Sequence, residues 1–186
     1  MIEIVPYSDK WPEEFNKLAG QIKEVLGTVA LSVTHIGSTS VVGLAAKDVI
    51  DVQITVGSET DFPLVESGLA RLGCQRLLDI SSDHIPVFGP HEESEWKKMI
   101  FKEAVGERRA NIHVRIKGRA NERYARLFRD YLSYHFDTTR CYQQFKETVA
   151  KYTAGSTAAY SDIKDPFCDI IMISALNWAE ESSWKP

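Results

Sequence analysis

The first clear pattern along the chain is an apolar stripe at helical spacing near the N-terminus. Over 12–26, apolar residues recur every three or four positions, at Phe15, Leu18, Ile22, Val25 and Leu26. A proline at the start and Gly27 directly after the end are typical of helix termini. The spacing therefore predicts an amphipathic helix over 12–26.

Alternation of apolar and polar residues follows, with the period of a β-strand. The segments 31–36 and 49–56 each predict a strand, because β-branched residues alternate there with polar ones. The same alternation predicts a strand at 110–116. Two less regular strands are predicted at 75–80 and 95–101, on either side of a loop that contains Asp83 and His84.

Helical spacing returns after the second strand and dominates the last third of the chain. Thr60 or Asp61 can cap a helix whose apolar stripe ends before Gly73. Three more helices are predicted after residue 120, and the third is expected to begin at Asp165-Pro166, with the aspartate as cap. An early alternation of helix and strand followed by helices predicts an α+β fold, in which a mixed β-sheet is flanked by helices and extended by a C-terminal helical bundle.

Length and composition narrow the class of protein. The 186 residues fit one domain over 1–186, and 44% hydrophobic with 26% charged residues is ordinary for a soluble protein. No segment is apolar enough to cross a membrane, and the N-terminus does not resemble a secretory signal, so we expect a cytoplasmic protein without a membrane partner. A net charge of −4 argues against nucleic acid as the main partner.

A basic segment stands out in this acidic chain. Glu122 is the only acidic residue between positions 108 and 129, against eight basic ones, which are Arg108, Arg109, Arg115, Lys117, Arg119, Arg123, Arg126 and Arg129. Each could simply lie on a solvated helix face. Together, several of them could hold the phosphate tail of a nucleotide, if the fold brings them beside the turn described next.

The segment with the most specific chemistry is Gly37-Ser38, at the end of the predicted strand 31–36. A glycine lets a phosphate approach the backbone, and the amide dipoles of such a turn favour an anion. The strand 49–56 then places Asp51 on its polar face, and Lys47 lies in the connecting loop. A phosphate-binding turn beside an acidic residue predicts a nucleotide or another phosphorylated small molecule as the partner.

Metal binding at this position would need more than Asp51. A second carboxylate two residues further along the strand would share the metal, but that position is Gln53. His113 is the best substitute, as a metal ligand or as an acid or base, if strand 110–116 lies beside Asp51. A partly buried structural role is the alternative for this histidine. The predicted cofactor is a divalent metal, Mg²⁺ or Mn²⁺.

Taken together, several blocks of the chain resemble the GrpB family, which belongs to the nucleotidyltransferase-like superfamily. The resemblance spans nearly the whole chain. Its pieces are Tyr7 with Trp11-Pro12 and Phe15, the segments 35–41 and 43–47, Ile50-Asp51-Val52, Asn111-Ile112-His113-Val114, Phe128-Arg129-Asp130-Tyr131-Leu132, and Tyr160 with Lys164, Phe167, Ala175 and Trp178. Relatives often carry two histidines in the later strand, where this chain has Asn111 before His113.

The resemblance implies a nucleotidyltransferase-like fold with Gly37, Ser38 and Asp51 at its site, and a domain type sometimes fused to dephospho-coenzyme A kinase. Two functions at this site stay open, beside a third possibility, an accessory protein whose basic surface meets an acidic partner. The first is a metal-assisted nucleotidyltransferase with Asp51 and His113 at the metal. Some of three cations, Arg109, Arg115 and Lys117, would neutralise the phosphates. In the second, a non-catalytic module binds a nucleotide or phosphate and has lost transfer chemistry with the second carboxylate, as Gln53 suggests.

Overall fold

Five strands and five helices form the part of the chain that the computed structural model describes, residues 2–185. The strands are β1 (Ser32–Ile36), β2 (Ile50–Val56), β3 (Gln75–Arg76), β4 (Met99–Lys102) and β5 (Ala110–Ile116). The helices are α1 (Lys10–Leu26), α2 (Phe62–Arg71), α3 (Ala120–Tyr134), α4 (Phe136–Tyr152) and α5 (Thr157–Glu181). None of these helices combines the length and the apolar character that a membrane span requires.

The strands form one mixed sheet in the order β1-β2-β5-β4-β3. Only β2 and β5 are parallel, and the other neighbours are antiparallel. The register places Asp51 opposite Ile36 on one side and opposite Asn111 on the other. The predicted α+β class, with a mixed sheet, flanking helices and a helical C-terminus, is confirmed.

The alternation in β2 sends its side chains to two different environments. The apolar residues of β2 are buried against α1 and α2 in a core that includes Trp11, Ile22 and Leu69. The opposite face meets α3, where Gln53 donates to the Glu122 carbonyl oxygen at 3.1 Å. Asp51 points to this second face, so the candidate site lies between the sheet and the C-terminal helices.

The C-terminal helices have their own apolar core, which the loop after β1 joins through Val41 and Leu44. The prediction that the last helix begins at Asp165-Pro166 is wrong, because α5 begins at Thr157 and continues through Pro166. The Ser156 hydroxyl accepts from the Ala159 N–H at 3.2 Å and caps the helix earlier. Proline removes only one hydrogen bond, and packing of the surrounding turns against α3 and α4 sustains the helix.

The two less regular strands are shorter than predicted. β3 has only two residues and β4 begins at Met99, so most of 77–98 is irregular. This segment folds back across the sheet, with the Asp83 N–H donating to the Trp96 carbonyl at 2.8 Å. The side chain of Asp83 lies in a buried cluster of charges, and that tertiary contact overrides the strand propensity of the sequence.

Candidate phosphate-binding site

The Gly37 turn and Asp51 lie against each other. Gly37 has φ +71° and directly follows β1, whose last residue pairs with Asp51. A Cβ atom at position 37 would lie 2.3 Å from Asp51 Oδ2, so only glycine fits. Ser38 begins a short 3₁₀ turn beyond the glycine and is partly exposed. The structure therefore brings together the two features that the sequence analysis placed in one site.

One oxygen of Asp51 is held by an amide on the neighbouring strand. Asn111 Nδ2 donates to Asp51 Oδ1 at 2.7 Å, and Lys102 Nζ donates to Asn111 Oδ1. Burial raises the pKa of the Asp51 carboxyl, while the Asn111 hydrogen bond and the charges of Lys164 and Lys102 oppose this rise. The carboxylate is therefore set among donors and cations.

His113 also faces Asp51, since β5 runs parallel to β2. Its Nε2 lies 4.0 Å from Asp51 Oδ1, and its Nδ1 lies 3.5 Å from Lys98 Nζ. Burial, with the charges of Arg115 and Lys98, holds the pKa of His113 well below its ordinary value, so the ring is neutral at neutral pH. An ammonium can only donate, so Nδ1 is the acceptor and Nε2 carries the hydrogen toward Asp51.

Lysines that the sequence analysis did not assign complete the site. Lys102, Lys146 and Lys164 join the predicted Lys47 around Asp51, and each contributes to the local electrostatics. Lys47 Nζ lies 3.7 Å from the centroid of the Tyr160 ring. Lys164 and Tyr160 lie in the segments that carry the family resemblance. That resemblance was the one feature of the sequence that could have assigned them to the site.

Lys146 is the most buried of these cations, with 2% of its surface exposed. Its Nζ donates to the Ala45 carbonyl at 2.6 Å, and Gln143 Oε1 accepts from the Ala45 N–H at 3.3 Å. Burial lowers the pKa of Lys146 to about 7. Helix α4 thus fixes the loop that presents Lys47. We refer below to the Asp51 site, which consists of Gly37, Ser38, Lys47, Asp51, Lys102, Asn111, His113, Lys146 and Lys164.

Two of the predicted phosphate-binding cations point elsewhere. Arg115 is 6% exposed, and its guanidinium donates to Gln53 Oε1 at 2.7 Å and to Asp83 Oδ2 at 2.8 Å. Lys117 follows the far end of β5, six residues beyond Asn111, which corresponds to about 20 Å along a strand. Arg109 is exposed and adds to the positive charge near Lys47.

The rest of the basic segment is largely neutralised by carboxylates. Ion pairs join Arg108 to Glu14 at 2.7 Å and Arg119 to Glu95 at 2.7 Å. Arg129 donates to the His35 carbonyl at 2.9 Å as well as pairing with its neighbour Asp130. These arginines tie separate segments of the chain together, and their ion pairs leave them less available to a phosphate than the sequence suggests.

The residues of the site do not fit a divalent metal in their present arrangement. Within residues 2–185, no three His, Cys, Asp or Glu side chains gather as a metal site would require. Asp51 Oδ1 meets the Asn111 amide hydrogens, and Oδ2 lies against Gly37. Gln53 uses both ends of its amide, toward Glu122 and Arg115. The Mg²⁺ or Mn²⁺ cofactor with Asp51 and His113 as ligands stays a prediction.

The sheet order, the glycine turn at the end of β1 and the acidic residue at the start of β2 define a protein of nucleotidyltransferase-like fold. Solved structures of that class share the fold. Cid1, described as having RNA terminal uridylyl transferase activity, superposes with a TM-score of 0.54 over 79% of this chain and 41% of its own, at 14% identity. At this identity the likeness shows the fold alone.

The chain belongs to the GrpB family, since the GrpB protein family matches residues 1–173. The crystal structure of the conserved protein GrpB from Enterococcus faecalis superposes with a TM-score of 0.74 and 26% identity, over 94% of this chain and 98% of that one. A dephospho-CoA kinase of Mycolicibacterium paratuberculosis is 32% identical over 100% of this chain. The match covers 48% of that relative, so the chain spans about half the length of the kinase.

Proposed function

We propose that this protein binds a phosphorylated small molecule, with nucleotides as the first class to test, at the Asp51 site. The observation that carries the proposal is the group of lysines around the glycine turn. Lys47 and Lys102 have no carboxylate within 4.0 Å among the described residues, and Lys164 is paired with Asp165 at 2.9 Å. Positive charge held this way in an acidic protein suits an anionic ligand.

The glycine turn gives the ligand a place to approach these cations. Gly37 presents backbone without a side chain, and Ser38 adds a hydroxyl that is partly exposed. Lys47, Lys102 and Lys164 are half-buried, so their ammonium groups are accessible but less hydrated than those of surface lysines. Charge-assisted hydrogen bonds to phosphate are stronger under such conditions than between exposed groups.

A binding titration tests this proposal directly. We expect saturable binding of at least one probe from the set ATP, GTP, CTP, UTP, coenzyme A and dephospho-coenzyme A, measured by calorimetry. Coenzyme A compounds are included because of the name that the longer relatives carry. Lys47→Met should weaken that binding at least about tenfold, equivalent to about 1.4 kcal/mol, since it removes one phosphate-facing charge.

The matched control is Lys23→Met on α1. Lys23 is an exposed lysine outside the Asp51 site, so its replacement should leave the affinity unchanged. Equal losses in the two variants would show a general charge effect and contradict the proposal. Failure of every probe to saturate the wild-type protein would also contradict it.

A second candidate function is metal-assisted nucleotidyl transfer. It is favoured by the position of His113 as an acid or base, with Nε2 at 4.0 Å from Asp51 Oδ1 beside the glycine turn, and it requires that a metal rearrange the side chains around Asp51. Incubation of the protein with nucleoside triphosphates and Mg²⁺ or Mn²⁺ distinguishes the two functions. Release of pyrophosphate that disappears in Asp51→Asn would support transfer, whereas saturable binding without release supports a binding module.

A further inference from the structure

A continuous chain of hydrogen bonds connects a cation to the central carboxylate of the site. Lys102 on β4 donates to Asn111 Oδ1, and Asn111 Nδ2 donates to Asp51 Oδ1 at 2.7 Å. The three residues stand on adjacent strands, with Lys102 opposite Asn111 and Asn111 opposite Asp51. The sheet register therefore positions this series of hydrogen bonds, and no flexible loop takes part in it.

The orientation of the Asn111 amide follows from its two neighbours. An ammonium group has only donors, so the amide oxygen must face Lys102. The amide NH₂ then faces Asp51 Oδ1, which accepts the hydrogen bond. Each partner is matched, and the reversed amide would set donor against donor at one end and oxygen against oxygen at the other. One lone pair of Asp51 Oδ1 is thus taken by an amide hydrogen, and the amide rather than a metal ion occupies that side of the carboxylate.

We infer that Lys102, with Lys47 and Lys164, neutralises the ligand's phosphates in place of a divalent metal, so that binding needs no metal ion. This inference rests on the proposed function and specifies how the same site works. Asp51 accordingly acts as a positioning residue, which anchors Asn111 and through it Lys102.

The electrostatics of the site support this assignment. Lys102 and Lys164 lie close enough to Asp51 to affect its pKa. A metal ion beside Asp51 would therefore be repelled by their ammonium groups, which carry the same sign of charge. A phosphate chain is instead attracted by these two ammonium groups, which together outweigh the single charge of Asp51, because each lysine offers up to three donors and a full charge. His113 presents Nε2–H toward Asp51 and adds another donor to the same region.

The test is calorimetric titration with ATP and with inorganic tripolyphosphate. Each ligand is titrated once in EDTA and once in excess Mg²⁺. We expect saturable binding in EDTA, with an affinity equal to or up to about tenfold tighter than in Mg²⁺, since the metal competes with the lysines for the phosphates. Binding that appears only with Mg²⁺, or is more than about tenfold tighter with it, would overturn the inference and leave the proposed function standing. Absence of binding by these and all other probes would overturn the proposed function itself.

Two variants sharpen the result. Lys102→Met should weaken tripolyphosphate binding in EDTA at least about tenfold, and added Mg²⁺ should not restore it. Asn111→Asp places a second carboxylate beside Asp51 and should create saturable Mn²⁺ binding that the wild-type protein lacks. Saturable Mn²⁺ binding by the wild-type protein, or an unchanged affinity in Lys102→Met, would overturn the inference. Thermal unfolding checks that both variants fold, and Lys23→Met again serves as the control.

Discussion

Asp83→Ala should lower the free energy of unfolding by about 3–5 kcal/mol, the cost of leaving buried cations without their partner. Asp83 accepts from Arg115 Nε at 2.8 Å and from Lys98 Nζ at 2.6 Å. Both cations are less than 10% exposed, and Asn121 donates to the same carboxylate at 3.0 Å. Urea denaturation of the variant against the wild-type protein measures the loss.

The same cluster predicts how stability depends on pH. Burial alone would raise the pKa of Asp83, but the Arg115 guanidinium and the Lys98 ammonium outweigh it and hold that pKa well below its ordinary value. A carboxyl with a depressed folded-state pKa stabilises the protein fully above its unfolded pKa, which is about 4. This contribution is lost as the pH falls below that value, and Asp83→Asn should lack this part of the acid dependence.

Asp79→Ala is the matched control for both measurements. Asp79 lies in the same irregular segment but is exposed, and we expect a change within about 0.5 kcal/mol. A loss of similar size in Asp79→Ala and Asp83→Ala would show that the segment is merely sensitive to substitution. It would contradict the assignment of Asp83 as the anion that compensates Arg115 and Lys98.

Gly37→Ala should destabilise the protein by about 2–6 kcal/mol, for two additive reasons. At φ +71° and ψ −174° the backbone is in a region that is nearly restricted to glycine, at a cost of about 1–3 kcal/mol for another residue. The new methyl group would also lie 2.3 Å from Asp51 Oδ2, and relieving that overlap costs about 1–3 kcal/mol more. Chemical denaturation gives the total.

Gly43→Ala separates the two contributions. Gly43 also has a positive φ, +81°, but an added Cβ there meets no heavy atom within 4 Å. Its replacement should therefore cost only the backbone strain, about 1–2 kcal/mol. If Gly37→Ala proves no more damaging than Gly43→Ala, the close contact between the turn and Asp51 is not what requires glycine at position 37.

Local features of the sequence predicted most of the fold because neighbouring residues carry them. The apolar stripe in α1, the alternation in β2 and β5 and the turn at Gly37 each depend on positions a few residues apart. Prediction failed where distant contacts decide the outcome. The segment 77–98 forms little strand because Asp83 is drawn into a buried ion cluster, and α5 continues through Pro166 because its neighbours pack around it.

For the candidate site, the sequence by itself determined that a glycine turn and Asp51 stand on two successive strands, and the pairing of β1 with β2 then brings them together. Only the tertiary structure decided which cations accompany them. Arg115 is turned inward by Asp83, whereas Lys102 and Lys164 reach Asp51 from β4 and α5. Whether a charged side chain is free or neutralised depends on which remote segments of the chain pack beside it. The residues next to it in the sequence therefore do not predict its partner.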